Sequence, residues 1–149
     1  MKLSLTTPKG ALVDADVDEV TAPGELGELG VLPGHVPLMT ALRPGVLSYK
    51  AKDHDGVVAV GQGFLQVAPL PRAGSDEALG RDRVLVLVDQ AMAAVDIDRE
   101  AALRELGDAD KQLAAWKGEL DGAYQALVLK RGWAQARLDA AARAPGAAH

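Results

Sequence analysis

Cysteine is absent from the 149 residues, which excludes a disulfide framework, a thiolate nucleophile and a cysteine metal site. Aromatics are almost as scarce, with one phenylalanine, two tyrosines and two tryptophans, so any core must be built from valine, leucine and alanine. A basic excess is lacking as well. The formal net charge is −5, which argues against non-specific nucleic-acid binding, because that rests on basic surface. No apolar run approaches the roughly 18 residues that a membrane-spanning helix needs. The start, Met1-Lys2-Leu3-Ser4-Leu5, has no long apolar segment of the secretory kind. The expectation is a soluble, cytoplasmic chain of one ordinary domain or two small ones.

No catalytic or metal-binding set can be assembled either. His35, His54 and His149 lie far apart, without ligand spacing. Ser4, Ser48 and Ser75 sit in no nucleophile elbow. Asp14, Asp16, Asp18 and Glu25 fall where four positions of a calcium loop would, but Glu19 stands where the loop needs glycine. Val13, Ala15 and Val17 impose strand period there, so the aspartates read as a solvated strand face. Gly61-Gln62-Gly63 opens like a dinucleotide fingerprint but lacks the third glycine and the ensuing helix, so it reads as a strand turn.

What is present divides at about residue 90. Residues 1–90 read as β-structure. Leu3 and Leu5 alternate with polar neighbours up to the turn at Thr7-Pro8-Lys9-Gly10, and Val13, Ala15 and Val17 continue the pattern. The alternation slips by one between Val17 and Val20, which suggests a bulge. Val46-Leu47-Ser48-Tyr49 and Val57-Val58-Ala59-Val60 read as a hairpin with Asp55-Gly56 at its tip. Phe64-Leu65-Gln66-Val67 and the strongly apolar Val84-Leu85-Val86-Leu87-Val88 follow, separated by Pro69–Arg83, which reads as an exposed, mobile insertion. Short strands with frequent turn signals predict an antiparallel β-sandwich or flattened barrel.

From Asp96 the period is helical. Asp96 or Asp98 can cap, and Ala102, Leu106, Ala109, Leu113 and Trp116 make one narrow seam. Lys117-Gly118-Glu119 breaks it, and Leu120, Tyr124, Leu127, Arg131, Ala134, Leu138 and Ala141 make a second. Two such helices predict an antiparallel two-helix hairpin over 91–143, with 144–149 as a flexible tail. The first helix is acid-rich (Asp96, Asp98, Glu100, Glu105, Asp108, Asp110) and the second basic (Lys130, Arg131, Arg137, Arg143). Opposite charge favours closure, at about 0–1 kcal/mol per exposed pair. The seams are alanine-rich, and Gly107, Gly118, Gly122 and Gly132 each cost up to ~1 kcal/mol in a helix interior. The hairpin is therefore expected to be marginal and able to open. Arg131 interrupts its seam, either snorkelling or pairing with Glu105 across the hairpin, or reserved for an acidic partner when the hairpin opens.

Gly24-Glu25-Leu26-Gly27-Glu28-Leu29-Gly30-Val31-Leu32-Pro33-Gly34-His35-Val36-Pro37-Leu38-Met39-Thr40 interleaves glycine and proline with apolar residues. Such a mix reads as a tight, shaped turn anchored by its leucines and valines, not a linker. Within it, Gly27-Glu28-Leu29-Gly30, Pro33-Gly34-His35, Pro37-Leu38 and Thr40 resemble the signature of the epsilon subunit of F-type ATP synthases. Leu42-Arg43-Pro44-Gly45 and Gly61-Gln62-Gly63-Phe64-Leu65-Gln66-Val67 continue the likeness in the family's order. It covers nearly the whole chain, the helical end more in layout than in residues.

The resemblance implies a non-catalytic rotor subunit that couples proton flow to ATP synthesis. Its sandwich would dock on the gamma subunit and the c-subunit rotor ring. Its helices would lie folded or extend to the alpha and beta subunits and restrain ATP hydrolysis. It would sit peripherally, through the complex, on the cytoplasmic face of a bacterial inner membrane. By position Glu28, with His35 nearby, is implied as a rotor-ring contact, the alternative for Glu28 being a solvated loop carboxylate. Arg131, Arg137 and Arg143 are implied, by placement, as inhibitory-helix contacts. Some members bind ATP through Ile/Leu-Asp-x-x-Arg-Ala. Ile97-Asp98-Arg99-Glu100-Ala101-Ala102 has Ala101 where the arginine belongs, so no cofactor is expected and regulatory ATP is disfavoured. Two other readings stay open, a free-standing sandwich-and-hairpin adaptor and an enzyme of unknown chemistry.

Overall fold

The structure is a computed structural model that describes residues 1–69 and 82–144. Ten strands come first: β1 (Lys2–Thr7), β2 (Gly10–Asp16), β3 (Glu19–Gly24), β4 (Gly27–Val31), β5 (Leu38–Leu42), β6 (Gly45–Lys50), β7 (Asp55–Val60), β8 (Gly63–Pro69), β9 (Asp82–Val88) and β10 (Ala91–Ala93). A 3-10 turn at Ala94–Asp96 leads into α1 (Arg99–Ala114) and α2 (Gly122–Ala142). The strands form one sheet in the order β10-β7-β6-β3-β5-β8-β9-β1-β2, with β4 paired to β3. β3 and β5 meet through the single residue pair Gly24 and Leu42, and the sheet folds over at that corner.

The fold brings two layers face to face. Val20, Val31, Leu47, Val58 and Val60 from one half bury against Leu3, Leu5, Leu65, Val67, Val84 and Val86 from the other. Alternation puts these residues inward because successive side chains of a strand point to opposite faces. The expected sandwich of aliphatic residues, followed by a helical hairpin, is what forms. One pairing is parallel, between β1 and β9.

Several local expectations are corrected. The slip between Val17 and Val20 is no bulge. β2 ends at Asp16 and β3 begins at Glu19, and the residues between them bond elsewhere, Val17 N–H to Met1 O (2.8 Å) and Asp18 N–H to Lys50 O (2.7 Å). A register shift occurs instead between Leu5 and Thr6. Asp55-Gly56 is not the tip of the β6–β7 hairpin, because Lys50 pairs with Asp55 and Tyr49 with Gly56. The Tyr49 ring lies where a side chain on Gly56 would go, so the glycine makes room for a ring across the ladder.

The Gly24–Thr40 stretch is not a single turn. β3 and β4 pair as a hairpin with Glu25 and Leu26 at its tip, and only residues 32–37 are irregular. Its apolar residues do not all anchor it. Val31 is fully buried, whereas Leu26, Leu32 and Val36 are exposed. Gly27 (φ +135°) and Gly34 (φ +88°) supply the left-handed backbone that its turns require.

The sheet also continues past residue 90, because β10 pairs with β7. Trp116 and Leu120, expected within the helical seams, lie in the connection between α1 and α2. There Trp116 packs edge-on to Tyr124 at 5.6 Å between ring centres, and its Nε1–H donates to Glu119 O (3.1 Å). Pro69–Arg83, expected to be an exposed insertion, falls outside the described residues over 70–81; its end, Asp82 and Arg83, begins β9. Residues 145–149 of the expected tail lie outside them too.

The glycines separate into those that the fold needs and those it does not. A side chain on Gly63 would stand 1.9 Å from Leu87 O and 2.7 Å from Val88 Cα, both backbone atoms that cannot swing aside. Gly107, within α1, faces open space. Gly63→Ala is therefore expected to destabilise the sandwich by about 1–3 kcal/mol, while Gly107→Ala stabilises the hairpin by up to ~1 kcal/mol. Denaturant titration, with hydrogen exchange to resolve the two regions, checks both.

Candidate functional site: a bare sheet face and a helical clasp

Two outer faces of the sandwich meet different fates. On the β6–β7 side, Val46, Val57 and Ala59 point outward and pack with Ala94, Trp133, Ala136 and Ala140. α2 covers this face. Gly132 permits the approach, since a side chain there would meet Pro44 at 3.3 Å. The α2 sequence reads as one narrow stripe toward α1, yet the helix buries a second one, Ala136 and Ala140 beside Trp133, against the sheet. Those alanines sit at helical spacing, but alanine is too weak a signal to mark a buried face.

On the other side nothing in the described chain covers the sheet. Met39 (68% exposed), Phe64 (54%) and Leu87 (48%) point outward from β5, β8 and β9. Ala41 pairs with Phe64, Phe64 with Leu87, and Leu87 with Thr6 of β1, so these residues form one row across four strands. Their signal was present in the sequence. Val84–Val88 is apolar at every position, the mark of a strand with both faces covered. A groove of about 530 Å³ adjoins this face, bordered by Phe64, Ala41, Pro44 and Leu129.

The basic residues of α2 are held in three ways. Arg131 pairs with Asp110 of α1, and both side chains are about half exposed, 40% and 49%. The expected partner of Arg131, Glu105, instead pairs with Arg137, about 1.7 turns further along. Arg137 is 8% exposed. Its guanidinium lies 5.4 Å from the centre of the Trp133 ring, and its Nε–H donates to Trp133 O (3.5 Å). Burial lowers its pKa from the usual arginine value by desolvating the charged form. Arg143 is the exposed C-cap of α2.

The remaining candidates are scattered. Glu28 is exposed on β4, opposite Pro23. His35 is half-buried in the loop that follows. There the His35 N–H donates to Leu32 O (3.0 Å) and Nδ1 bonds Val36 O (2.7 Å). The neighbouring Gly34 N–H donates to the Asp82 carboxylate, which ties this loop to the start of β9. Asp98, not Asp96, is the N-cap of α1, accepting from Ala101 N–H (3.1 Å). Ile97 packs on the alanine cluster under α2. Neither lines the cavity of about 450 Å³ between α2 and the sandwich, which Arg137, Lys130, Trp133, Glu105, Asp89 and Gln62 border among others. Among the described residues, no group of three His, Cys, Asp or Glu is placed to hold a metal ion.

The family described as the ATP synthase delta/epsilon chain, β-sandwich domain, matches residues 1–70. Over 143 residues the chain is 39% identical to an ATP synthase epsilon chain of Anaeromyxobacter sp. strain K, covering 96% of this chain and 98% of the relative. The chain belongs to the ATP synthase epsilon-chain family. A second relative, ATP synthase epsilon chain 2 of Syntrophotalea carbinolica, is 40% identical over 122 residues, covering 75% of this chain and 80% of the relative. The fold is also that of a chain in the Euglena gracilis mitochondrial ATP synthase, at TM-score 0.71 and 23% identity over 94% of this chain and 79% of that one. A chain of the Tetrahymena thermophila mitochondrial ATP synthase central stalk and c-ring matches at TM-score 0.56 and 16% identity over 95% of this chain and 96% of that one. The family match stops at residue 70, but the full-length relative extends the kinship through both helices.

The difference in exposure predicts a difference in sensitivity. Asp110→Asn removes a half-exposed pair that water can replace, and unfolding free energy should change by less than about 1 kcal/mol. A loss well above that in thermal or denaturant unfolding would mean that the Arg131–Asp110 pair is a structural tie.

Proposed function

We propose that the chain is the central-stalk coupling subunit of an F-type ATP synthase, non-catalytic itself, with the sandwich as dock and the helical hairpin as brake on ATP hydrolysis. One observation supports the docking half above all: Phe64 and Leu87, paired across β8 and β9, and Met39 of β5 lie exposed and uncovered by any described residue, while the opposite face is covered by α2. Fully burying a side chain of this size contributes about 1.5–3 kcal/mol. A single such residue at the surface is ordinary, but a row across adjacent strands marks a contact surface. Its partner in this reading is the gamma subunit. Glu28 and His35 would face the rotor ring, whose Euglena and Tetrahymena counterparts lie in solved complexes that include a c-ring. No described helix is long and apolar enough to cross a membrane; in this reading the chain is held at the cytoplasmic face through the complex.

The brake half rests on the alanine seams of α1 and α2 and on the arginines between them. Once the hairpin opens, Arg131 and Arg137 lose Asp110 and Glu105 and become free to meet the alpha and beta subunits, with Arg143 already exposed. Regulatory ATP stays disfavoured here. Ala101 cannot hold a phosphate, and the Asp98 carboxylate is engaged in capping α1.

The test is ATP hydrolysis by an alpha–beta–gamma head complex with the chain added whole or ended after Asp96, a cut that keeps β10 and the 3-10 turn on the sheet. Both forms should bind and only the whole chain should inhibit. Inhibition by the shortened form would remove the brake from the helices. Binding by neither would favour the free-standing adaptor. For the docking face, Phe64→Asp should weaken binding to the gamma-containing complex at least tenfold, while thermal unfolding shifts by only about 0.5 kcal/mol. Unchanged binding would move the dock elsewhere.

A further inference from the structure

The two interhelical ion pairs differ in kind. Arg131 and Asp110 are both about half exposed, so water stands ready to solvate either partner when the other leaves. In the second pair the Arg137 side chain is 10% exposed and the Glu105 side chain 47%. The cation is inside and the anion half outside. Arg137 reaches this position because Ala136 and Ala140 bring α2 close to the sheet while Trp133 roofs the guanidinium. Asp89 and Lys130 border the same cavity. Among the described residues Glu105 is the one carboxylate within ion-pair distance of Arg137.

A buried pair is a poor source of stability in itself, because desolvation offsets its attraction. Removing one partner alone leaves an uncompensated buried charge and is strongly destabilising. An arginine cannot escape by losing its proton, since it stays charged at any ordinary pH. We propose that Glu105 is the latch of the helical hairpin, acting through the penalty that its loss imposes on Arg137. The hairpin stays shut while Glu105 neutralises Arg137. It opens when Glu105 alone is neutralised, because opening gives Arg137, 8% exposed and held against the Trp133 ring, the full hydration that the closed hairpin denies it. The arginine is thus a loaded charge: removing it together with its partner, or by itself, leaves the hairpin closed. Asp110 has no such leverage.

The latch concerns the folded hairpin and stands without the brake. Only its consequence for ATP hydrolysis rests on the function proposed above. The test is hydrogen exchange on the full chain, comparing Glu105→Gln, Arg137→Met, the two combined, and Asp110→Asn. Glutamine keeps the shape of Glu105 and methionine keeps the apolar stem of Arg137, so charge is the variable. Glu105→Gln should speed exchange in α1 and α2 about tenfold or more, with β8 and β9 unchanged. Arg137→Met and Asp110→Asn should change it less than about threefold, and the double variant should return exchange to near the starting rate. The proposal falls if Arg137→Met opens the hairpin as much as Glu105→Gln does, if the double variant shows no rescue, or if β8 and β9 loosen equally. Added to the head complex, Glu105→Gln should inhibit more strongly than the unaltered chain. Faster exchange without stronger inhibition would keep the latch and sink the brake.

Discussion

A two-layer sheet has four faces, and the described residues close three of them. The two inner faces close on each other around Leu3, Leu5, Leu47, Leu65 and a set of valines, all fully or nearly fully buried. With so few aromatics, the interior is aliphatic, and branched side chains on a pleated surface suit it. The third face, on β6 and β7, is closed by α2. The fourth carries Met39, Phe64 and Leu87 into solvent. That asymmetry organises the molecule, since among the described residues one outer face is occupied by α2 and the other is left uncovered.

The closure of the third face rests mostly on small side chains. Alanines let α2 approach the sheet closely, but each buries little area, and burial scales with area. Trp133 provides most of the bulk, and Gly132 admits Pro44 at the cost of helix propensity. A helix held this way buries little area per residue. Its most buried polar contact is an arginine whose compensation comes from the other helix. The attachment of α2 to the sheet and of α1 to α2 are thereby coupled, because α1 supplies the carboxylate that lets α2 keep Arg137 inside.

This arrangement suits a family whose members are epsilon chains of ATP synthases. The sandwich and the hairpin are built of different material. The sandwich is a valine and leucine core crossed by long-range strand pairing, including the β1–β9 contact between the first and last thirds of the β-region. The hairpin is local in sequence and touches the sheet mainly through one helix.

How much of this was legible beforehand depends on the kind of signal. Strand period, turn residues and the change to helical period at Asp96 determined the sandwich and the hairpin, because each is written in neighbouring residues. The motif order around Gly27–Gly30 and Pro33–His35 was enough to indicate the family. Tertiary structure decided the rest. Gly56 looked like a turn tip but pairs across from Tyr49, since room for a ring in a ladder leaves no local mark. Glu105 looked like the partner of Arg131 but faces Arg137, because the seams specify two facing helices without specifying their register. The leucines and valines of Gly24–Thr40 looked like anchors, yet only some turn inward. Hydrophobicity states that a residue prefers burial. Which residues obtain it depends on how much of the chain is left to cover them.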